Sequence, residues 1–165
     1  MTSRVPARQN RARSADAMKS TLIDQRDGLR RFVVVLAAGD EVIQALTSFA
    51  AEHQLGGSQF TAIGAFSRAV VAYFDWSAKQ YRHIRIDDQV EVLSLLGDIA
   101  LDGSKPKIHA HTVLGKSDAT AHGGHLIEAI VRPTLEVVVT ELPRKLHRRF
   151  DPESGLALID PRNSM

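Results

Sequence analysis

RRFVVVLAAGDEVIQALTSFAAEHQLGG, residues 30–57, decides the fold class of this chain. Its first nine residues are rich in β-branched side chains and predict a buried strand, and Gly39-Asp40 then supplies a break and a helix cap. From Glu41 to Gln54, apolar residues recur at three- and four-residue spacing, which predicts an amphipathic helix with one buried stripe. Gly56-Gly57 ends that helix. A strand is therefore followed by one long helix.

Strand-like segments fill most of the chain after this helix. Apolar and β-branched residues predict five further strands, at Phe60–Trp76 with an interruption at Gly64, Tyr81–Ile86, Val90–Ala100, Lys107–Leu114 and Leu135–Thr140. Asp102-Gly103-Ser104 is a turn signal between two of them. One helix with many consecutive strands predicts an α+β domain with a largely antiparallel sheet, not a doubly wound fold.

Chain length and charge distribution predict one domain with a tail at each end. The 165 residues, 44% hydrophobic and 24% charged, are enough for one continuous core. Residues 1–19 carry five basic residues against Asp16 and are interpreted as a basic, disordered tail, with a nucleic-acid arm or a working start at Met18 as alternatives. Residues 20–151 are the predicted domain, and residues 152–165 are predicted to be an irregular C-terminal tail.

Composition excludes several kinds of site and location. The chain has no cysteine, so disulfides, thiolate ligands and cysteine nucleophiles are excluded, and histidine and carboxylates remain as the strong metal ligands. The longest apolar run, Phe32–Ala38, is far shorter than the roughly 20 residues of a membrane-spanning helix. No apolar segment follows the arginines near the start, so we expect neither a secretory signal nor a membrane span. We therefore expect a cytoplasmic protein.

Three histidines form the motif that carries chemistry. In IHAHTVL, His109 and His111 are two residues apart in a predicted strand, so both side chains lie on one face. The segment from Gly115 to Gly124 has the composition of a hairpin-like return and would bring His125 back beside them. Three imidazoles with an open fourth position predict a site for zinc or another divalent metal. The alternatives are polar residues on a solvated face, or His122 as a ligand or as a donor that orients one.

Five pieces of the sequence, taken in order, resemble one known family. They are TAIGAFSRAVVAYFD (61–75), EVLSLLGDIA (91–100), KIHAHTVLG (107–115), HGGHL (122–126) and RPTLEVVVTE (132–141). Together they resemble the PPC (plant and prokaryote conserved) domain, over about residues 28–150. The resemblance implies a twisted antiparallel sheet with one major helix, and a homotrimer with its sites near subunit boundaries. It also implies that His109, His111 and His125 match the metal ligands of prokaryotic members.

Nonspecific DNA binding is the first function that this resemblance suggests. Plant members of the family are nuclear proteins that contact DNA through a separate AT-hook with an Arg-Gly-Arg-Pro core, which this sequence lacks. The basic tail has no glycine-centred motif for an A·T minor groove, so any DNA affinity is expected to be nonspecific. The main hypothesis is therefore a metal-binding PPC protein with a DNA-binding or regulatory role by family association.

A zinc-dependent lyase or hydrolase that acts on a small oxygenated metabolite is the alternative. The histidine arrangement is similar to that of acetolactate decarboxylase, which carries a three-histidine zinc on a related fold. An open zinc polarises a carbonyl or lowers the pKa of bound water, but the reaction also needs a proton-transfer group. Glu91 and Glu136 are carboxylates within apolar strands and are the candidates for that role. The simpler interpretation is that both face solvent from a one-sided sheet.

Overall fold

The computed structural model describes residues 18–163, in which one helix packs against a strongly curved sheet. The elements in chain order are β1 (Lys19–Arg26), β2 (Leu29–Ala37), α1 (Val42–Glu52), β3 (Gly57–Asp75), β4 (Gln80–Ile86), β5 (Val90–Asp102), β6 (Lys105–Gly115), β7 (Ala121–Glu141), β8 (Arg148–Asp151), β9 (Leu156–Ile159) and a 3₁₀ turn (Pro161–Asn163). Every strand pairing among the named strands is antiparallel. The predicted α+β class with a largely antiparallel sheet and one major helix is confirmed.

The N-cap of the helix lies one residue later than predicted. Glu41 is the N-cap residue, and its carboxylate accepts hydrogen bonds from the backbone N–H groups of Ile43 and Gln44. Asp40 instead accepts a hydrogen bond from the Ala37 N–H and closes the turn after β2. A side-chain acceptor at this position satisfies N–H groups that have no partner within the helix.

The buried stripe of α1 lies over β6 and β7 and forms part of the core. Val42, Leu46, Phe49 and Ala50 are buried along it, as the apolar spacing predicts. Phe49 meets Phe32 of β2 edge to face, with ring centroids 5.3 Å apart. The helix and β2 are therefore packed together through aromatic contacts.

Two long strands, β3 and β7, pair along most of their length and organise the sheet. The strand order is β1-β2-β7-β6-β5-β3-β4, and the added β3–β7 pairing closes a circuit through β5 and β6. Gly64 marks a register shift in β3 and has φ +152. A Cβ at this position would lie 2.3 Å from the Thr134 carbonyl oxygen of β7. The interruption noted at Gly64 in the sequence is therefore a bulge with a close backbone approach.

The last predicted strand is part of a longer strand. The last predicted strand, Leu135–Thr140, is only the end of β7, which begins at Ala121. Pro133 is tolerated because it lies in a bulge between the pairs Val131↔Phe66 and Leu135↔Gly64, where no ladder N–H is needed.

The termini also differ from the prediction. The C-terminal tail from residue 152 is not irregular, because β9 pairs with β8, and Asp151 accepts hydrogen bonds from the N–H and hydroxyl of Ser154 in the connecting turn. At the other end, β1 was not predicted and begins at Lys19, inside the predicted tail. Residues 1–17, the rest of that tail, lie outside the described residues. Among residues 18–163, no helix is long and apolar enough to span a membrane.

Candidate metal centre

Strand register brings the three predicted histidines together. In β6, His109 and His111 lie on the same face, and the five-residue return 116–120, closed by a hydrogen bond from the Lys116 N–H to the Thr120 carbonyl, places His125 of β7 directly opposite His111. The candidate ligand nitrogens of the three side chains all lie within 4.8 Å of one another. The hairpin-like return expected from the sequence is present.

The spacing of the imidazole rings suits one metal ion. Ring centroids are 5.1 Å apart for His109 and His111, 5.1 Å for His109 and His125, and 5.3 Å for His111 and His125. Nitrogens around a tetrahedral zinc, with bonds of about 2.0–2.1 Å, lie roughly 3.4 Å apart. The candidate ligand nitrogens, which lie within 4.8 Å of one another, would move closer together to bind such an ion.

The glycine before His125 is required by close packing of β7 on β3. Gly124 precedes His125, which is registered with Ala72 of β3. A Cβ on Gly124 would lie 2.7 Å from the Ala72 carbonyl oxygen. A side chain there would push β7 away from β3 and displace His125 from the other two histidines.

Burial and mutual proximity favour the neutral form of these imidazoles. Burial, followed by the neighbouring His109 and His111 and then by Arg148 and Lys107, lowers the pKa of His125 to about 4. Burial, and then His109, also lowers the pKa of His111. A neutral imidazole keeps the lone pair that binds a metal. The Nδ1 atom of His125 is buried and has no hydrogen-bond partner among residues 18–163, as expected for a donor set that a cation would complete.

A carboxylate orients one of the candidate ligands. Asp98 of β5 is registered with His109, and its Oδ2 atom lies 3.2 Å from His109 Nδ1. A proton on Nδ1 donates to this carboxylate and leaves Nε2 with its lone pair free to bind a metal. The other oxygen of Asp98 accepts a short hydrogen bond from Arg148 Nη2, and the Arg148 side chain is only 6% exposed. Asp98 therefore links a candidate ligand to a buried cation.

A cavity of about 260 Å³ opens beside the histidines. His109, His125, Tyr81 and Lys107 contribute to it from the main sheet, and Arg148 with Leu156, Ala157 and Leu158 contributes from the β8–β9 hairpin. The Tyr81 ring lies 4.7 Å from the His125 ring, centroid to centroid. Burial raises the pKa of Tyr81, and the positive charge of Arg148 opposes that shift. The phenol is therefore neutral and next to the candidate metal site.

The other predicted site residues lie elsewhere in the described chain. Glu91 is opposite Gly115, four residues along β6 from His111, which corresponds to roughly 13 Å. Glu91 and Glu136 line one shallow cavity with Ile63, separate from the cavity beside the histidines. His122 is exposed and lies 3.4 Å from the Thr120 hydroxyl, outside the three-histidine cluster.

Sequence reasoning missed Asp98, Arg148 and Tyr81. The turn at Gly103-Ser104 offered a signal for the first of them. Since Asp102 pairs with Lys105 across that turn, counting back along both strands places Asp98 opposite His109. Arg148 had no comparable signal, because its position depends on the β8–β9 hairpin, whose second strand lies in residues 152–165, which were predicted to be irregular.

An exposed apolar surface borders the candidate metal site. The outer apolar face consists of Ile63, Leu93, Leu96, Val113 and Val138, each at least 40% exposed. Four of these side chains line one groove of about 470 Å³. Leu96 is registered with His111, so the face reaches the edge of the histidine cluster. A contiguous exposed apolar patch of this kind is typical of an interface.

Solved structures with the same fold carry descriptions that concern DNA or metal. A candidate DNA-binding protein from Bacteroides thetaiotaomicron is 25% identical, with 88% of this chain and 99% of that chain covered and a TM-score of 0.82. A candidate DNA-binding protein from Ralstonia eutropha is 32% identical, with 78% and 90% covered and a TM-score of 0.74. A metal-containing protein from Archaeoglobus fulgidus is 31% identical, with 87% and 98% covered and a TM-score of 0.75.

More distant comparisons add the fold alone. A Staphylococcus aureus protein of unknown function, described as similar to alpha-acetolactate decarboxylase, matches at 13% identity and a TM-score of 0.52, with 67% of this chain and 52% of that chain covered. This match agrees with the fold similarity expected from the sequence.

A comparison with curated protein sequences found no significant match. The model of the Plants and Prokaryotes Conserved (PCC) domain, the PPC family of the sequence analysis, matches residues 23–143, and the chain belongs to this family.

Proposed function

We propose that this PCC-domain protein binds one divalent metal ion, zinc, on His109, His111 and His125. The observation that carries the proposal is the meeting of three imidazoles, whose ligand atoms lie within 4.8 Å of one another, with a carboxylate that orients one of them. A set of three nitrogens without cysteine suits zinc, and three protein ligands leave a fourth position for water or another molecule. The metal-containing relative from Archaeoglobus fulgidus supports the assignment.

Bound zinc would act as a Lewis acid and lower the pKa of a water molecule at the open position. The protein residues have separate tasks. Asp98 holds His109 in the tautomer that binds through Nε2, and the buried Arg148 balances the charge of Asp98. Tyr81 packs against His125 and excludes water from one side of that ring.

Metal content of the purified protein tests this proposal. We expect about one equivalent of zinc by mass spectrometry after purification without chelator. His111→Ala and His125→Ala should lose it, whereas His83→Ala, which removes an exposed histidine of β4, should retain it. Purified protein that takes up no divalent metal, or a His125→Ala variant that keeps a full equivalent, would show that the cluster is not a metal site.

We also propose that the protein is a homotrimer that buries the outer apolar face. Exposed leucine, isoleucine and valine side chains on adjacent strands support a protein interface, and a second copy of the chain is the occupant that the family resemblance implies. Sedimentation velocity should give the mass of three chains. Leu96→Glu should reduce that mass, and Ile84→Glu, a similarly exposed apolar residue of β4 outside the face, should not. A monomeric wild type would contradict the assignment.

Nonspecific DNA binding is a second candidate function. It is favoured by the descriptions of the Bacteroides and Ralstonia relatives and by the arginines within residues 1–17. Fluorescence anisotropy with duplexes of unrelated sequence should give similar affinities that fall steeply between 50 and 200 mM salt. Deletion of residues 1–17 should weaken binding to all of them. Unchanged affinity after the deletion would show that residues 1–17 do not contribute to DNA binding.

The cytoplasmic location expected from the sequence stays a prediction.

A catalytic role for Glu91 and Glu136 would require a second subunit. Within one chain, both carboxylates line a cavity next to the outer apolar face and not the cavity beside the histidines. Assembly through that face would cover the two glutamates with another copy. The enzyme hypothesis therefore depends on the oligomeric state, which the sedimentation experiment measures first.

A further inference from the structure

Part of the wall of the cavity beside the histidines lies beyond residues 23–143, which the family model matches. The domain match ends at residue 143, whereas Arg148 and the segment Leu156–Leu158 belong to the β8–β9 hairpin that follows it. The hairpin is attached to the main sheet by the bridge Leu101↔His147 and by a hydrogen bond from the Leu101 N–H to the Leu146 carbonyl. The C-terminal segment therefore completes this cavity.

Two cationic side chains line this cavity, and a bound metal ion would add positive charge to it. Arg148 and Lys107 line it, and among the described residues no aspartate or glutamate does. Asp98 compensates one of these charges through its hydrogen bond to Arg148, and the exposed Asp102 lies 3.4 Å from the Lys107 ammonium group. Three neutral imidazoles would leave the charge of a bound divalent cation uncompensated. An anion is the ligand that such a cavity favours.

Arg148 is built into the cavity as a contact for an oxyanion. Its side chain is 6% exposed, and a hydrogen bond from Nη1 to the Ala157 carbonyl and one from Nη2 to Asp98 fix its position. The Nε–H group is buried and donates to no described atom. Because Nε is itself buried, the second N–H groups of Nη1 and Nη2 are the donors left for a carboxylate.

The apolar part of the lining and the volume favour a small organic anion. Ile108, Leu156, Ala157 and Leu158 supply an apolar surface. A volume of about 260 Å³ corresponds to about eight or nine water molecules at roughly 30 Å³ each, which suits a ligand with about that many non-hydrogen atoms.

From this arrangement we infer that the cavity binds a small organic carboxylate, with the carboxylate at Arg148 and Lys107 and a short apolar chain against Leu156 and Leu158. The inference rests on the proposed metal site, because the bound cation contributes to the positive charge. It assigns to the C-terminal hairpin the role of selecting the ligand of that site.

A comparison of butyrate with its neutral analogue butyramide tests the inference. The two probes have nearly the same shape, and only the first carries a charge. Titration of zinc-loaded, ¹⁵N-labelled protein, followed by ¹H–¹⁵N correlation spectra, should show butyrate binding at least tenfold more tightly than butyramide. The largest shifts should be those of Tyr81 and residues 156–158. Equal affinity for the two probes would refute the inference.

Matched variants locate the anion contact. Lys107→Gln should weaken butyrate binding about threefold or more, whereas Lys105→Gln, on the same strand but outside this cavity, should not. Arg148→Gln should weaken it at least tenfold with zinc content unchanged, and if that variant fails to fold, the lysine pair decides. Wild-type affinity in Lys107→Gln and Arg148→Gln would mean that butyrate binds the metal alone, which contradicts the inference. Protein that takes up no zinc would instead refute the metal site itself.

Discussion

Replacing Asp98 with asparagine tests whether the carboxylate orients His109 for metal binding. The Asp98 side chain is 26% exposed and lies between His109 Nδ1, at 3.2 Å, and the nearly buried guanidinium of Arg148. Asparagine has almost the same shape but no charge. Removing a partner that orients a metal-binding histidine typically weakens metal binding 10- to 100-fold. We expect a loss in this range for Asp98→Asn.

The same substitution should also destabilise the metal-free protein. Loss of one partner from a fully buried ion pair costs about 3–5 kcal/mol. Asp98 is partly exposed, and asparagine keeps one oxygen acceptor for Arg148, so we expect the free energy of unfolding to fall by about 2 kcal/mol. Asp102→Asn is the matched control, because Asp102 is also on β5 and pairs with a cation, but both side chains of that pair are more than half exposed. Its effect should stay below about 1 kcal/mol.

Two measurements check these magnitudes. Zinc affinity is obtained by competition with a chelating dye, and the unfolding free energy of the metal-free protein by urea denaturation. The reasoning fails if Asp98→Asn binds zinc within threefold of the wild type, since the carboxylate would then have no part in the site. It fails in its energetic part if Asp98→Asn and Asp102→Asn have equal stability.

Three further predictions concern stability. Glu141→Gln should lower the unfolding free energy by roughly 1–2 kcal/mol at pH 7, because Arg30 hydrogen-bonds Glu141 and lowers the pKa of its carboxyl group. This stabilisation is fully present above the unfolded-state pKa and is lost as the pH falls through the lowered folded-state pKa. Urea denaturation should therefore show a larger difference from the wild type at pH 7 than at pH 3, and an equal difference at both would contradict this. Gly64→Ala should lower the unfolding free energy by about 3 kcal/mol or more, since the added Cβ would lie 2.3 Å from the Thr134 carbonyl oxygen. Gly103→Ala should lower it by about 1–2 kcal/mol, because Gly103 has φ +62 but open space around it. Equal urea midpoints for the two variants would contradict this. When free zinc is held at 100 times its Kd, adding a chelator should lower the unfolding free energy by about 2.7 kcal/mol and Tm by roughly 5–10 °C in calorimetry. The chelator should not affect His111→Ala. A chelator effect on that variant would mean that the metal binds elsewhere.

The sequence predicted the parts of the fold that depend on local pattern. The stripe Val42, Leu46, Phe49 and Ala50 identified α1, since a helix with one buried face repeats at three- and four-residue intervals. β7 was predicted at only a third of its length because Gly123, Gly124 and Pro133 resemble turn residues. Their tolerance within the strand depends on the close approach of β6 at Gly123, of β3 at Gly124 and on the bulge near Val131, which are tertiary features without a local signal.

The candidate site divides in the same way between local and tertiary information. His109 and His111 are placed on one face by strand alternation, and the short return places His125 beside them. Glu91 and Glu136 were chosen because carboxylates within apolar strands are unusual, but alternation alone does not say which end of a curved sheet they occupy. Asp98 was within reach of the sequence through the register of the β5–β6 turn, whereas Arg148 required the tertiary position of the hairpin.

Asp98 contacts both His109, a candidate ligand within the residues that the family model matches, and Arg148, which follows them in the chain. Without Asp98, a buried guanidinium would lie close to the place where a divalent cation is proposed, and the two positive charges would repel each other. The carboxylate accepts a hydrogen bond from each side and reduces that repulsion. Asp98 and Arg148 are in direct contact, so we expect their effects on ligand binding to be non-additive, and a double-mutant cycle on the two residues measures that coupling.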